Sequence, residues 1–194
     1  MKEEVAALSK EPKLIIKDTG KFGLGVFAGE EIKKGQVIKV FSGEVITFEE
    51  CEKRIKSGDE ARTDTLQISL ELDMDLDDVS RTFNHSCSPN AGLRKTSELF
   101  ALKSIKAGVE ITYDYSATVG PNCPASLWTM QCNCGSKNCR KMIGNILTLP
   151  VEVLEKYKKH GALQDYILAE LKKITKLPDG TYKTPKYKKI LIRP

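Results

Sequence analysis

Between Leu66 and Asp77 apolar and polar residues alternate without a break: Leu66, Ile68, Leu70, Leu72, Met74 and Leu76 interleave with Gln67, Ser69, Glu71, Asp73, Asp75 and Asp77. A repeat of two places alternate side chains on opposite faces of a strand, so this stretch predicts a strand or hairpin with one polar, largely acidic face. Shorter apolar runs predict strands at Lys13 to Lys17, Leu24 to Ala28, Gln36 to Phe41 and Glu44 to Ile46, with a turn at Asp18-Thr19-Gly20 and a loop from Glu30 to Gly35. Glu98 to Ile105 and Val109 to Tyr113, on either side of Lys106-Ala107-Gly108, predict a second hairpin. Other stretches read as helices. Thr47 and Glu50 have the spacing of a capping box, and the polar run that follows ends at Ser57 with Gly58 behind it, which suits a short exposed helix. Pro150 can open another, with Val151, Leu154 and Tyr157 on one face and Gly161 at its end; the stripe Leu163, Ile167, Leu171 and Ile174 predicts one more. Short strands joined by glycine-bearing turns, with helices at the end, define a mostly β (α+β) chain.

Composition narrows this picture. With 194 residues and 40% hydrophobic content the chain can bury one core, and no segment approaches the roughly 20 apolar residues of a membrane span. Charges scattered through Met1 to Lys13 leave no room for the apolar run of a signal peptide, so a soluble, intracellular protein with no membrane partner is expected. The net charge of +5 is uneven: residues 1–149 carry 20 basic and 21 acidic side chains, residues 150–194 carry 11 and 5. The lysine-rich stretch from Tyr182 to Pro194 is expected to be mobile unless it docks, and an accessory nucleic-acid contact through this tail is one reading of its charge. Asp59 to Asp78 holds eight acids against Arg62 alone, a patch that would steer a basic partner, or else a solvated acidic hairpin.

Three of the six cysteines cluster as Cys132, Cys134 and Cys139, a C-x-C-x4-C spacing around Gly135. Uneven placement argues against a disulfide framework, whereas close thiolates suit zinc, which takes four such ligands in a tetrahedron. One ligand is missing from the cluster, and spacing alone leaves Cys51, Cys87, Cys123, His85 and His160 as candidates. Four thiolates around Zn²⁺ carry a net charge of about −2, which Lys137, Arg140 and Lys141 are close enough in sequence to offset.

Three segments carry further chemistry: Gly20-Lys21-Phe22-Gly23-Leu24-Gly25-Val26-Phe27-Ala28, Arg81-Thr82-Phe83-Asn84-His85-Ser86-Cys87-Ser88-Pro89-Asn90, and Glu110-Ile111-Thr112-Tyr113-Asp114-Tyr115. A Gly-x-Gly pair is by itself an ordinary turn, a lone histidine is more often a core residue, and two tyrosines two apart can be simple core aromatics. In this order and spacing they resemble the signature motifs of SET-domain protein-lysine methyltransferases, from about Lys13 to Ile143, and the terminal cysteine cluster resembles that family's post-SET zinc segment. The resemblance implies a SET fold of several short sheets around a threaded pseudoknot formed by Asn84 to Asn90 and Tyr113 to Tyr115, with a zinc clip and C-terminal helices. The expected division is an N-terminal tail (1–12), a SET domain (13–120), a post-SET segment (121–145), and helices with a basic tail (146–194).

The resemblance also implies an activity, methyl transfer from S-adenosylmethionine to a lysine of a protein, such as a histone or another basic chromatin protein. In a eukaryote that places the chain in the nucleus, on chromatin, as well as in the cytoplasm. Phe22, Gly23, Leu24, Gly25, Arg81, Asn84, His85 and Tyr115 are then the expected cofactor contacts. The two glycines would let backbone approach the ligand, and the Asn84 amide and His85 imidazole would bond its polar ends. Cys87 becomes the fourth ligand of a structural Zn²⁺ beside Cys132, Cys134 and Cys139, while Cys51 and Cys123 match no ligand position and read as reduced thiols. Tyr115 matches the tyrosine at the point of transfer. Tyr113 matches the position that limits product multiplicity, which favours mono- or dimethylation. Attack by a neutral amine on a sulfonium methyl needs alignment and desolvation more than acid-base groups. Two departures from the family pattern stand out: Phe41 precedes Ser42-Gly43-Glu44 where a tyrosine is common, and Thr82 stands where an aromatic residue is usual. They leave a rival reading, a catalytically silent zinc-stabilised module that holds a lysine-rich peptide.

Overall fold

The computed structural model describes residues 11–59, 61, 63–176 and 182–183. Most of the segment 1–12, Glu60 and Arg62 of the acidic run, and the tail from residue 184 onward lie outside the described residues.

The chain opens with β1 (Leu14–Asp18) and β2 (Leu24–Ala28), an antiparallel pair closed by a turn in which Gly20 and Gly23 both take positive φ. β3 (Val37–Val40) leads to β4 (Gly43–Thr47) and α1 (Phe48–Ser57). α1 has the expected ends: the Thr47 side chain accepts from the N–H of Glu50, and Gly58 closes the helix in the left-handed region at φ 83°, but the Glu50 carboxylate turns to Lys53 and Arg54, so the reciprocal half of a capping box does not form. The alternating stretch is a hairpin, β5 (Thr65–Gln67) and β6 (Leu72–Leu76), in a sheet ordered β4-β6-β5.

Its polar face is not simply solvated. Gln67 and Asp73 are buried, and Asp75 meets Arg54 at 2.9 Å and Arg81 at 3.0 Å. Asp73 and Asp75 are therefore core and ion-pair partners, while Asp59, Glu71 and Asp78 remain exposed.

β7 (Asn84–His85) precedes β8 (Ala91–Arg94) and β9 (Glu98–Ala101), which pair antiparallel in a sheet ordered β3-β9-β8. The hairpin expected across Lys106-Ala107-Gly108 does not form. Glu98–Ala101 finds its partners in β8 and β3, Ile105 bridges to Ile32, and Glu110 bridges to Phe27. β10 (Thr112–Tyr113) instead lies parallel to β7, with Thr112 opposite Asn84 and Tyr113 opposite His85. Tyr113 ends that strand and Tyr115 opens a 3₁₀ turn (Tyr115–Ala117), so the two tyrosines do not share a strand face by alternation.

After β11 (Met130–Gln131) and β12 (Met142–Ile143), α2 (Val151–Lys159) starts behind Pro150 and stops before Gly161, at φ 62°. Leu154 and Tyr157 are buried, but Val151 is exposed. α3 (Asp165–Leu171) is shorter than the predicted stripe, with Leu163 before it and Ile174 after it. β13 (Thr175–Lys176) and β14 (Tyr182–Lys183) form a last small pair. One apolar cluster, including Phe41, Phe83, Leu99, Ile111 and Tyr113, fills the space between the sheets; a second, including Phe100, Ile146, Leu154 and Ile167, seats α2 and α3 against them. The fold is thus a mixed SET-like arrangement of small sheets, a thiol cluster and C-terminal helices. No helix among the described residues is long and apolar enough to cross a membrane.

Candidate active site

The site is assembled where β7 and β10 run side by side. Beyond the strand pairing, the N–H of Ser86 donates to the Tyr113 carbonyl at 3.0 Å. Asn90 fastens the same two segments from both ends of its amide: Nδ2 donates to the Glu110 carbonyl at 2.7 Å, and Oδ1 accepts from the N–H of Thr112 at 2.9 Å. The buried amide saturates backbone groups that no sheet neighbour reaches. The segment 84–90 and the segment 110–115 therefore hold one another.

Two cavities meet at this junction. The larger, about 500 Å³, is lined by Phe22, Leu24, Arg81, Asn84, His85 and Tyr115 among others, with Met130 to Cys134 along one side. The smaller, about 50 Å³, is lined by Phe48, Tyr113, Tyr115, Trp128, Glu52 and Asp73, with Gln67, Thr118, Cys51 and Cys123 also on its wall. Tyr115 and Thr63 border both. The phenol of Tyr115 donates to the Phe83 carbonyl at 2.8 Å, and its ring lies 4.9 Å from that of Tyr113 and 5.3 Å from that of His85. Burial raises the pKa of both tyrosines, so each is a neutral phenol in the physiological range.

Six of the eight expected cofactor residues, Phe22, Leu24, Arg81, Asn84, His85 and Tyr115, line the larger cavity. Gly23 and Gly25 serve the chain itself. Gly23 is needed for its φ of 73°, and a Cβ on Gly25 would fall 2.6 Å from Glu110 Oε1 and 2.9 Å from Asn84 Nδ2. Gly25 thus makes room for protein side chains. The Asn84 amide nitrogen and both His85 ring nitrogens have neighbours within the protein. Asn84 Nδ2 donates to the Leu24 carbonyl and to Glu110, each at 2.9 Å. His85 Nδ1 accepts from the N–H of Tyr115 at 3.2 Å, and its Nε2 lies 3.3 Å from Cys87 Sγ. Burial lowers the His85 pKa to about 4, with Asp114 opposing and Arg140 reinforcing, so the ring is neutral at physiological pH.

That histidine joins a group of metal-binding atoms. His85, Cys87, Cys132 and Cys134 offer ligand atoms that all lie within 4.8 Å of one another. Cys139 adjoins them, its sulfur 3.7 Å from that of Cys132, which is in turn 3.8 Å from Cys87 Sγ. Ligands about 2.3 Å from a tetrahedral ion sit about 3.8 Å apart. These sulfurs have that spacing, and their soft donor set fits zinc. Burial pushes the Cys87 and Cys132 thiols up; burial also acts on Cys134, but donors from the Cys87 N–H and Ser136 outweigh it and pull that thiol down. His160 is remote from this role, exposed at the end of α2 with Nδ1 2.7 Å from the Lys156 carbonyl.

Two participants escaped the reading of the sequence. Asp114, between the two tyrosines, is 2% exposed and takes Arg140 in a forked pair at 2.6 and 2.7 Å, plus the Tyr157 hydroxyl at 2.9 Å. The N–H of Arg140 also points at Cys87 Sγ, 3.4 Å away. Arg140 had been expected only to offset thiolate charge; it ties the cysteine segment to the Tyr-Asp-Tyr segment. Trp128 gave no signal because no periodic pattern or motif surrounds it. Phe41, where a tyrosine was expected, is a core residue packed 5.3 Å from Phe83 and 5.8 Å from Tyr113. Thr82 lines the larger cavity and donates to the Asp78 carbonyl at 2.6 Å.

A wide cavity and a narrow, partly aromatic one thus share Tyr115 and Thr63 beside a cluster of thiols. Residues 23–116 match the family model described as SET domain, and the chain belongs to the SET-domain family. It is 35% identical to the histone-lysine N-methyltransferase ASHR3 of Arabidopsis thaliana, over 70% of this chain and 29% of that protein. It is 33% identical to the human histone-lysine N-methyltransferase, H3 lysine-36 specific, over 76% of this chain and 6% of that one. Among solved structures it resembles KRYPTONITE in complex with mCHG DNA and SAH, with a TM-score of 0.50 and 25% identity over 68% of this chain and 29% of that chain. The chain thus spans less than a third of the length of each of these relatives.

Proposed function

We propose that the protein transfers a methyl group from S-adenosylmethionine to a lysine side chain of a basic protein, with a histone as the favoured class. The larger cavity holds the donor and the smaller one the lysine. The observation that carries this reading is that Tyr115 borders both cavities, so an amine and a methyl group brought in from either side come together at one buried phenol.

Bound S-adenosylmethionine supplies a sulfonium methyl, whose carbon–sulfur bond breaks as the carbon–nitrogen bond forms. The protein's part is placement. Aromatic rings of Phe48, Tyr113, Tyr115 and Trp128 strip water from the lysine stem. The amine then loses its proton to solvent, helped by the positive charge opposite and by the apolar wall. Tyr115, which donates to the Phe83 carbonyl, keeps its oxygen able to accept from the amine and aim it. The Tyr113 hydroxyl occupies room in the same passage, which favours mono- or dimethylation. Cys87, Cys132, Cys134 and Cys139 would hold Zn²⁺, with His85 in place of Cys139 as the alternative fourth donor, and the ion would have a structural role, fixing the wall of the donor cavity.

Labelled S-adenosylmethionine with core histones, and separately with a lysine-rich peptide, tests the reading. Label on histone lysines is expected; peptide binding without transfer favours the silent module and overturns the enzyme.

A further inference from the structure

The two C-terminal helices lie beyond the 23–116 segment that matches the SET family. Two of their side chains, and Gln164 between them, bond to residues in or beside the wall of the narrow cavity. The Tyr157 hydroxyl donates to Asp114 at 2.9 Å, between the two tyrosines of the passage. The Tyr166 hydroxyl donates to the Thr118 carbonyl at 2.8 Å, and Thr118 is a wall residue. Gln164, between the helices and 0% exposed, donates through Nε2 to the carbonyl of the wall residue Gln67 at 3.0 Å and to that of Thr96 at 2.6 Å. Gln67 in turn accepts from the N–H of Gly120 at 2.7 Å, so the wall closes on itself.

Packing makes these contacts more than incidental. Tyr157 and Ile167 are buried in the second apolar cluster, which also contains Ala117 from the 3₁₀ turn that begins at Tyr115. A Cβ on Gly92 would sit 2.8 Å from that of Ala162, so the linker between α2 and α3 is pressed against β8. The far side of the passage wall is therefore made of helix, and the polar anchors fix where backbone at 114, 118 and 67 stands. A displacement of about 1 Å at a reacting centre can cost about a hundredfold in rate, so such anchors matter to chemistry without touching it.

We propose that residues 151–171 form a buttress that sets the bore of the lysine passage, with Tyr157, Gln164 and Tyr166 as positioning residues acting through Asp114, Gln67 and Thr118. This rests on assigning the narrow cavity to the lysine. Gln164 and Tyr166 act through Gln67 and Thr118, which line only the narrow cavity, so their contribution falls on the methyl-accepting side; Tyr157 acts through Asp114, which also meets Arg140 and His85.

The chain's single tryptophan provides a readout that does not need turnover, since Trp128 lines the same passage. Tyr166→Phe and Tyr157→Phe each remove one hydroxyl while keeping the ring, and Lys158→Gln on the outer face of α2 is the control. Acrylamide quenching of Trp128 is expected to rise in both tyrosine variants and to stay unchanged in the control. With saturating S-adenosylmethionine, kcat toward the lysine substrate should fall roughly tenfold, by misalignment, while binding of S-adenosylhomocysteine is unchanged in Tyr166→Phe, whose partner Thr118 lines only the narrow cavity. Lowered melting temperatures with unaltered quenching would mean that the helices only add stability, and would overturn the buttress. Absence of methyl transfer in the parent protein would overturn the assigned activity instead, and the quenching comparison would still decide the buttress. Gln164→Met, which removes the amide donor without changing length, repeats the comparison should either tyrosine variant fail to fold.

Discussion

A phenol at the meeting point of two cavities does its work by staying protonated and staying still. Burial keeps both Tyr113 and Tyr115 neutral, and the Phe83 carbonyl holds the latter in place. Tyr113 has the same chemistry one step further from the donor cavity, so Tyr113→Phe should enlarge the space for a methylated amine. Mass spectrometry of a histone substrate should then find the product distribution shifted toward the higher methylation state, and an unchanged distribution would remove Tyr113 from that role. Other residues couple the fold to pH. Burial opposes ionisation of Asp77, but bonds from the Ser42 hydroxyl and from Ser80 outweigh it and lower its pKa; Glu98 is likewise lowered by Lys95 and Arg94 against burial. Groups depressed in the folded state stabilise it above their ordinary values, 3.8 for Asp77 and 4.5 for Glu98, and lose that contribution as pH falls through the folded values. Urea midpoints measured from pH 6 to pH 2 should fall at the acid end in the parent protein. They should fall less in Glu98→Gln, which has no carboxylate left to titrate.

At the scale of elements, the site depends on segments distant in sequence holding one another: β7 against β10 through Asn90, and the cysteine segment against both through Cys87 and Arg140. Cys87→Ser replaces a soft thiolate with a hard hydroxyl in a site suited to zinc. Less than one zinc per chain by atomic absorption is expected, with a lower melting temperature that added zinc does not restore. Full zinc content in Cys139→Ser, together with zinc loss in His85→Ala, would put the histidine in the place of Cys139. Local rules read from the sequence fared best where the structure is local. Thr47, Glu50 and Gly58 define α1 because caps act within a turn, and the alternation from Leu66 to Leu76 gave its hairpin. They failed at Glu98 to Tyr113, where the same apolar pattern serves partners as distant as Val37 and Asn84. Period two specifies which face is buried, and is silent on which strand lies alongside. Asp114 was invisible for a related reason, since its partners Arg140 and Tyr157 come from two later elements.

Taken whole, the molecule divides its labour across Tyr115. One side is a broad cavity walled by the first turn and the cysteine segment, joined across its rim by Lys21, whose Nζ donates to the Asn133 carbonyl at 2.7 Å. The other is a small aromatic passage backed by helices. Family motifs made the first side legible, since its residues come in short quoted strings. The second side draws Phe48, Cys51, Glu52 and Ile55 from one face of α1, Thr118, Val119, Cys123 and Trp128 from the 118–128 loop, and Thr65, Gln67 and Asp73 from β5 and β6, with no motif to mark them. The claim on which everything turns is that the Tyr115 hydroxyl aligns the amine and the methyl without being needed to hold the donor. Tyr115→Phe measured in parallel by calorimetric binding of S-adenosylhomocysteine and by single-turnover methyl transfer tests it directly. Affinity within about twofold of the parent and a rate lower by about 10²-fold or more, the scale at which removing an aligned polar group is felt, is the predicted result. Transfer at the parental rate, or loss of donor binding in step with loss of rate, would contradict it.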